Sequence, residues 1–455
     1  MPTISSTLSL AKRALLAHQG AMGTGADNVA NVNTLGYARK KVDLQSSPSL
    51  YTPLGGFGTG VDLLGMKGVR DIFIERQVRS AMSESGKYEE GSRQMQMIEE
   101  TIGALSDTGL SDAFDKFWNG WHDLANDPAS MSSRHALREA ARNLVGIFNG
   151  IDSNLNLQTD NINQEIADKV DQINTITQEL ASINRDLLRL RGEAPDLVDR
   201  RELLLDELST LAGVDYKLED DHTVSVFLDG ASLVMDDKVQ TVGTELDDNG
   251  NLQLIIVDEV KRNIDVRGGE IGALIDVRDG ELTELRAKLD ELAVTLVREV
   301  NNLHKTGFGL NGSTGMDFFD VDTTGISDIS LDWRIEDDAA LIAASADGSE
   351  GDNSLALAIA DLEQKAAFSE GTETLGQVFS SISAWFGAKV AHAEDLAEGA
   401  KLSLQQIEAW RESVSGVSLD EEMAQLIRYQ LAFNASAKLV NMADSMMQQV
   451  LAMVS

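Results

Sequence analysis

The chain has 455 residues, of which 42% are hydrophobic and 25% charged, an ordinary balance for a folded protein with a sizeable core. Thirty-eight Lys and Arg against seventy-four Asp and Glu leave a formal charge of −36, which disfavours nonspecific attraction to nucleic acid or anionic lipid. The absence of cysteine excludes disulfides, thiolate zinc sites and cysteine nucleophiles.

From the N-terminus, Lys12 and Arg13 interrupt the apolar run that a cleavable secretory signal requires, so none is expected. Ile4, Leu8, Ala11, Leu15, Met22, Val29 and Val32 recur in steps of four and three, a heptad seam interrupted at His18 and Gly25. The stretch NVANVNTLGYARKKV, residues 28–42, then leaves the helical pattern through Gly36. GGFGTG, residues 55–60, lacks the last glycine of a dinucleotide fingerprint, because Val61 occupies that position, and reads as a turn or close-packed loop. Further on, Ile173, Ile176, Leu180, Ile183, Leu187 and Leu190 keep a strict three-four alternation until RGEAPD, residues 191–196, where Gly192 and Pro195 predict a bend or helical hairpin. LVDRRELLLDELSTLAG resumes helical spacing up to Gly213.

From Val214 the period falls to two. TVSVFLDG and NLQLIIV read as strands, with DDNG as a hairpin signal before the second. ELDDNG also resembles the start of a calcium loop, but its twelfth position is Ile256 rather than glutamate, which rejects that reading. Leu282, Leu285, Leu289, Leu292 and Leu296 restore a helix. A glycine-rich connection follows, HKTGFGLNGSTG, with strand candidates at 328–335 and a last helical zone from about Asn353. The C-terminus carries a second heptad seam, Leu419, Met423, Leu426, Phe433, Ala437, Val440, Met447, Leu451 and Val454. Beside it runs another apolar row: Ala435, Leu439, Met442, Met446, Val450 and Met453. That face is wider than one partner helix covers, which points to association.

The expected fold is therefore mainly α, an elongated multi-domain rod with paired terminal coiled-coil helices and a β-rich insertion in mid-chain. Residues 1–36 and 417–455 are assigned to a terminal polymerisation domain, and 37–213 with 280–416 to an elongated helical domain. The β-rich insert takes 214–279, with strands within 318–336 as candidates to join it. No run reaches the roughly 20 apolar residues of a membrane span. Histidines 18, 122, 135, 222, 304 and 392 stand singly, without the close spacing of a helical zinc site, and the abundant carboxylates carry no acid/base assignment without a pocket. Neither catalytic residue, metal nor cofactor is expected.

NVANVNTLGYARKKV resembles the N-terminal signature of bacterial flagellar rod, hook and hook-associated proteins, matched at Asn28, Ala30, Asn31, Thr34, Gly36, Tyr37 and Arg39; Ala38 stands where a serine is common. Residues 415–451 are similar to the C-terminal partner signature, and RDIFIERQVR, FDKFWNGWHDLANDPASMSSRHAL and LVDRRELLLDELSTLAGV resemble the hook–filament junction family, FlgK. The resemblance implies a noncatalytic subunit, exported without a cleaved signal through the flagellar type III apparatus and assembled outside the cell. It also implies partners: further copies in a helical ring, the flagellar hook protein, the second junction protein FlgL and an export chaperone, with no nucleic acid and no membrane insertion. The expected assembly interface comprises Ile4, Leu8, Leu15, Met22, Asn28, Val29, Asn31, Val32, Gly36, Tyr37 and Arg39 with Leu419, Met423, Leu426, Phe433, Val440, Met447 and Leu451. A different class of reading, an acidic ligand-binding or enzymatic protein, would place its site in the β-rich insert.

Overall fold

The computed structural model describes residues 3–52, 55–105, 109–192, 194–248, 250–257, 261–366 and 373–454. Helix α1, Ile4–Ala30, starts where the Thr3 hydroxyl accepts the Ser6 N–H at 3.2 Å, satisfying one of the amides that a helix start leaves unpaired. Its end turns through Gly36, whose φ of +77° suits glycine. The chain then returns along α1 as a β-ribbon: β1 (Lys40–Ser46), β2 (Leu50–Thr52), β3 (Gly55–Phe57) and β4 (Val61–Gly68). β1 pairs antiparallel with β4 from Lys40 opposite Gly68 to Ser46 opposite Val61, and β2 with β3 at the far end. The start of the 37–213 segment assigned to the elongated helical domain is thus a β-ribbon, and helix begins only at Ile72. A register shift between Asp43 and Leu44 breaks the ribbon's alternation, so period two is never sustained in the sequence.

The body is built on α2 (Ile72–Leu105), α3 (Ser111–Asn126), α4 (Met131–Arg189) and α5 (Pro195–Ala212). The 59 residues of α4 make a rod about 88 Å long. Its buried row, from Leu137 through Phe148, Ile162 and Ile173 to Leu187, runs through the main core. Arg191 and Gly192 take positive φ at its end, and Pro195 opens α5 instead of merely stopping a helix, since its missing N–H would be unpaired there in any case.

Two small antiparallel sheets lie against the second half of α4. The first is β5 (Asp215–Leu218), β6 (Val224–Leu228), β7 (Ala231–Met235) and β8 (Lys238–Val239), in that order. The second is β9 (Thr241–Leu246), β10 (Leu252–Val257) and β11 (Arg262–Ile264). ELDDNG closes the β9–β10 hairpin, with the Asp247 N–H donating to the Asn251 carbonyl and the Asn251 N–H to Asp247 Oδ1, while Asn249 lies outside the described residues. The sheets end earlier than expected. Helix α6 (Gly269–Asp276) occupies the end of the 214–279 segment and continues through a π-helical turn, Val277–Leu282, into α7 (Thr283–His304). A short apolar run such as EIGALIDV fits a strand or a buried helix equally well by periodicity.

Beyond α7 come β12 (Phe308–Gly309), α8 (Trp333–Asp337), β13 (Ala343–Ser345), which pairs with β12, and α9 (Ser354–Ala360). The strand candidates within 318–336 do not join the insert. Residues 319 and 331 form one isolated bridge, α8 starts at Trp333, and Phe318 and Phe319 pack on Phe117 of α3. Hydrophobic content drew those residues into the core beside α3, where loop backbone suffices. The chain closes with α10 (Leu375–Ser415), packed along α2, and α11 (Leu419–Val454), packed along α1.

Candidate functional site

α1 and α11 run antiparallel. Gly25 meets Leu426, where an added Cβ would lie 3.0 Å from Cδ2, and His18 faces Tyr429 with ring centroids 6.4 Å apart. This register carries the last turns of α11 past the start of α1. On its other side α1 is covered by the ribbon: Leu63 packs at Gly20, and Arg13 bonds Ser47 at 3.1 Å and Asp62 at 3.4 Å. α1 is thus covered on two sides, whereas α11 packs chiefly along α1.

The signature stretch forms the clasp at the base of this pair. Asn28 is buried; its Nδ2 donates to the Lys40 carbonyl at 2.9 Å and to Glu422 Oε2 at 3.1 Å, while its Oδ1 accepts the Lys40 N–H at 2.9 Å. Arg39 donates from Nε to Glu422 Oε1 and from Nη1 to Glu421 Oε2, each at 2.7 Å, and its backbone N–H reaches the Ser415 carbonyl at 2.8 Å. Burial opposes the guanidinium charge, yet the two carboxylates outweigh it and hold the Arg39 pKa above its ordinary value. Asn31 Nδ2 donates to the Asp27 carbonyl at 2.9 Å and its Oδ1 accepts from Thr34. The Tyr37 hydroxyl stands 3.0 Å from Asp27 Oδ2 and 2.9 Å from Asn28 Oδ1, and burial, then Asp27, push its pKa up. Lys40 pairs with Asp27 and Asp196 and lies over the Tyr37 ring.

A second cluster ties the clasp to the body. Arg70 donates to the Gly36 carbonyl at 2.7 Å and to Asp199 of α5 at 2.9 Å. Arg79 of α2 bonds Glu202 and Asp206 of α5, and Arg411 of α10 joins Asp206 at 2.6 Å. Burial alone would raise the Glu202 pKa, but Arg79 and Arg201 pull it down to about 2. A cleft of about 340 Å³ opens beside this cluster, lined by Tyr216, His222 and the same charged residues, which already pair with one another.

Every residue expected at the assembly interface lies in the terminal pair or its clasp. Asn28 and Arg39 are buried, and Ile4, Leu8, Leu15, Met22, Val29, Asn31, Val32, Gly36, Tyr37, Leu426, Phe433 and Val440 are half-buried. Leu419, Met423, Met447 and Leu451 are exposed. So are Ile427 and Leu431, outside both predicted rows, and Leu439, Met442, Met446, Val450 and Met453 of the second row. The sequence reading also missed Glu421 and Glu422, which look like ordinary acidic residues in the first turn of a helix. Among the described residues no three His, Cys, Asp or Glu converge to hold a metal, and no helix is long and apolar enough to cross a membrane.

Residues 95–319 match the family described as flagellar hook-associated protein FlgK helical domain, and residues 412–453 match flagellar basal body rod FlgEFG protein C-terminal. Flagellar hook-associated protein 1 of Bacillus subtilis (strain 168) is 28% identical, the match covering 98% of this chain and 97% of that protein. Over nearly its whole length the chain is similar to FlgK proteins. The Escherichia coli (strain K12) protein of the same name is 24% identical over 97% of this chain and 98% of its own length. The flagellar hook junction protein FlgK of Burkholderia pseudomallei shares the fold, with a TM-score of 0.68 at 15% identity, covering 74% of this chain and all of that one. FlgK proteins are structural parts of the flagellum, not enzymes, which sets aside the enzymatic reading of the β-rich insert.

Proposed function

We propose that the chain is a junction subunit between hook and filament, and that it joins neighbouring copies through α1 and α11. One observation carries this reading: a succession of large apolar side chains along α11, from Leu419 and Met423 through Ile427, Leu431, Leu439, Met442 and Met446 to Met453, stays exposed in the single chain. Exposed apolar surface of this extent on an ordered helix marks an interaction site. The surrounding charge is consistent with that use. Residues 1–36 and 417–455 together hold four basic and five acidic side chains, so nearly all of the −36 resides elsewhere and the terminal pair itself is close to neutral. The hook protein and the second junction protein FlgL are the axial neighbours this reading assigns. Export without a cleaved signal, escorted by a chaperone that holds the same apolar helix, is the route it assigns. Deletion of the gene tests the function: the strain should carry hooks without filaments and shed flagellin into the medium, whereas filaments of normal length on that strain would overturn the reading.

A further inference from the structure

The buried positions of α1 are Ala11, Ala17, Ala21, Thr24, Gly25 and Asn28, and those of α11 are Glu422, Ser436 and Ala443. Apart from Asn28 and Glu422 they are small. Small side chains let helices approach closely, but they give little reason to prefer one register, since a helix shifted by one turn meets residues of similar size. In coiled coils a single buried polar residue is what fixes alignment.

Glu422 has the environment such a residue needs. It is 2% exposed, Arg39 is 9% and Asn28 is 1%, and its two oxygens take Arg39 Nε at 2.7 Å and Asn28 Nδ2 at 3.1 Å. Neither donor can follow a sliding helix. Asn28 is held by both backbone groups of Lys40, and Arg39 is fixed by its N–H on the Ser415 carbonyl and its C=O on the Val69 N–H. A slide of one turn, about 5.4 Å, would carry Glu421 and Glu422 together away from Arg39, leaving a buried carboxylate without a donor and a buried guanidinium without its partners. We propose that Glu422 is the register key of the terminal pair, setting the height at which α11 lies along α1. The consequence for function rests on the junction reading, because copies can share one interface only if each presents its apolar face at the same height; the pairing itself lies within one chain.

The chain's lack of cysteine makes the test direct. Three double variants of the full chain are treated as dilute monomer with a short bifunctional thiol reagent: His18→Cys with Phe433→Cys, the in-register pair, level with each other one heptad beyond the Gly25–Leu426 contact, and His18→Cys with Tyr429→Cys or with Ala437→Cys, one turn to either side. The in-register pair should link at least about tenfold faster than the other two, and Glu422→Ala should reduce that preference to less than about threefold, whether the helix slides or lifts away. Arg39→Ala, which removes the same contact from the ribbon side, should do likewise and guards against a fault peculiar to one variant. An unchanged preference in both variants would overturn the proposal. Addition of each monomer to bare hooks is scored separately. Should the unaltered chain fail to join hooks, the junction reading falls and the register result stands; should Glu422→Ala keep its linking preference yet fail to join, the register key falls and the junction reading stands.

Discussion

Asn28, Asn174, Asn184 and Asn301 use their side chains as stand-ins for a β-strand. Each donates from Nδ2 to a backbone carbonyl and accepts at Oδ1 from a backbone N–H: of Lys40, of Val242, of Val224, and of Phe319 with Phe318. A carboxamide offers one donor edge and one acceptor edge, so a helix can satisfy the backbone groups that a strand residue turns away from its paired strand. Asn184→Ala would leave both backbone groups of buried Val224 unpaired, at about 1–3 kcal/mol each, so urea unfolding should show a loss of roughly 2–5 kcal/mol. Asn184→Asp should be worse, because a carboxylate would face the Val224 and Asp236 carbonyls without a proton to give. A loss under about 0.5 kcal/mol for either variant would show the pairing to be dispensable. His304 is the matching case among titrating groups. It is fully buried beside Trp121 and Phe318, its Nε2 accepts the Ala343 N–H at 2.9 Å, its Nδ1 stands 2.7 Å from the Met316 carbonyl, and burial lowers its pKa to about 4. The unfolded chain, with histidine near 6.5, binds the extra proton first as pH falls, so stability drops between about pH 6.5 and 4 and the loss is complete below. Between pH 7 and 5 this amounts to about 2 kcal/mol, and His304→Gln should flatten that interval in unfolding measurements. An equal pH dependence in the variant would assign the effect elsewhere.

At the level of elements, α4 and the terminal pair differ in what they bury. α4 covers a continuous row of Leu, Ile, Val and Phe, whereas α1 and α11 bury mainly alanine, glycine and a few polar side chains. Since apolar area sets most of the stabilisation, amide exchange in dilute monomer should be at least about tenfold faster in α1 and α11 than in the centre of α4. Equal protection would mean that the pair is stable without neighbours. Met447→Lys with Leu451→Lys discriminates further. Both side chains are exposed in the single chain, at 39% and 66%, so the monomer's melting temperature should hardly move. Burial between copies would forfeit roughly 1.5–3 kcal/mol at each position and strand a charge, so joining to bare hooks should be lost. Normal joining would sink the assembly role of this face, and a large fall in melting temperature would place it in a core. The sequence made the long elements legible because 3.6-residue periodicity persists over many turns in α4 and α11. The ribbon was not legible, since its bulge at Asp43 and Leu44 and the glycines of GGFGTG interrupt a signal only two residues long. Of the candidate site, the apolar half could be read as heptads and the amide half from the signature stretch. Glu422 could not, because a buried carboxylate is distinguished from seventy-three other acidic residues only by what surrounds it.

Across the whole molecule, charge and apolar surface are segregated. Residues 1–36 and 417–455 hold four basic and five acidic side chains, while residues 317–363 alone contain thirteen Asp and Glu against Arg334 as the one basic residue. That acidic segment packs around α3 and the start of α4, and the clasp lies at the other end of α4, beyond Arg189, where Asp196 and Asp199 meet Lys40 and Arg70. A rod about 88 Å long therefore separates a nearly neutral, apolar end from a strongly acidic one. When copies gather side by side, the acidic ends are brought together and repel, while the terminal helices gain by burying apolar area. Salt acts on these terms in opposite ways to its effect on a charge-driven interface. The screening length is about 10 Å at 0.1 M and about 3 Å at 1 M, so added salt removes the repulsion between bodies and leaves apolar burial intact. The buried Arg39–Glu422 pair is screened far less than exposed charges and should persist. The subunit concentration needed for half-maximal joining to bare hooks should accordingly fall as sodium chloride rises from about 0.05 to 0.5 M, most steeply at the low end where the Debye length changes fastest. Replacing several exposed carboxylates of the acidic lobe, such as Asp322, Asp337 and Glu350, by their amides should reproduce part of that gain at low salt and diminish the response to added salt. A requirement that instead rises with salt would show that ion pairs between copies, rather than the apolar face of α11, hold neighbouring subunits together.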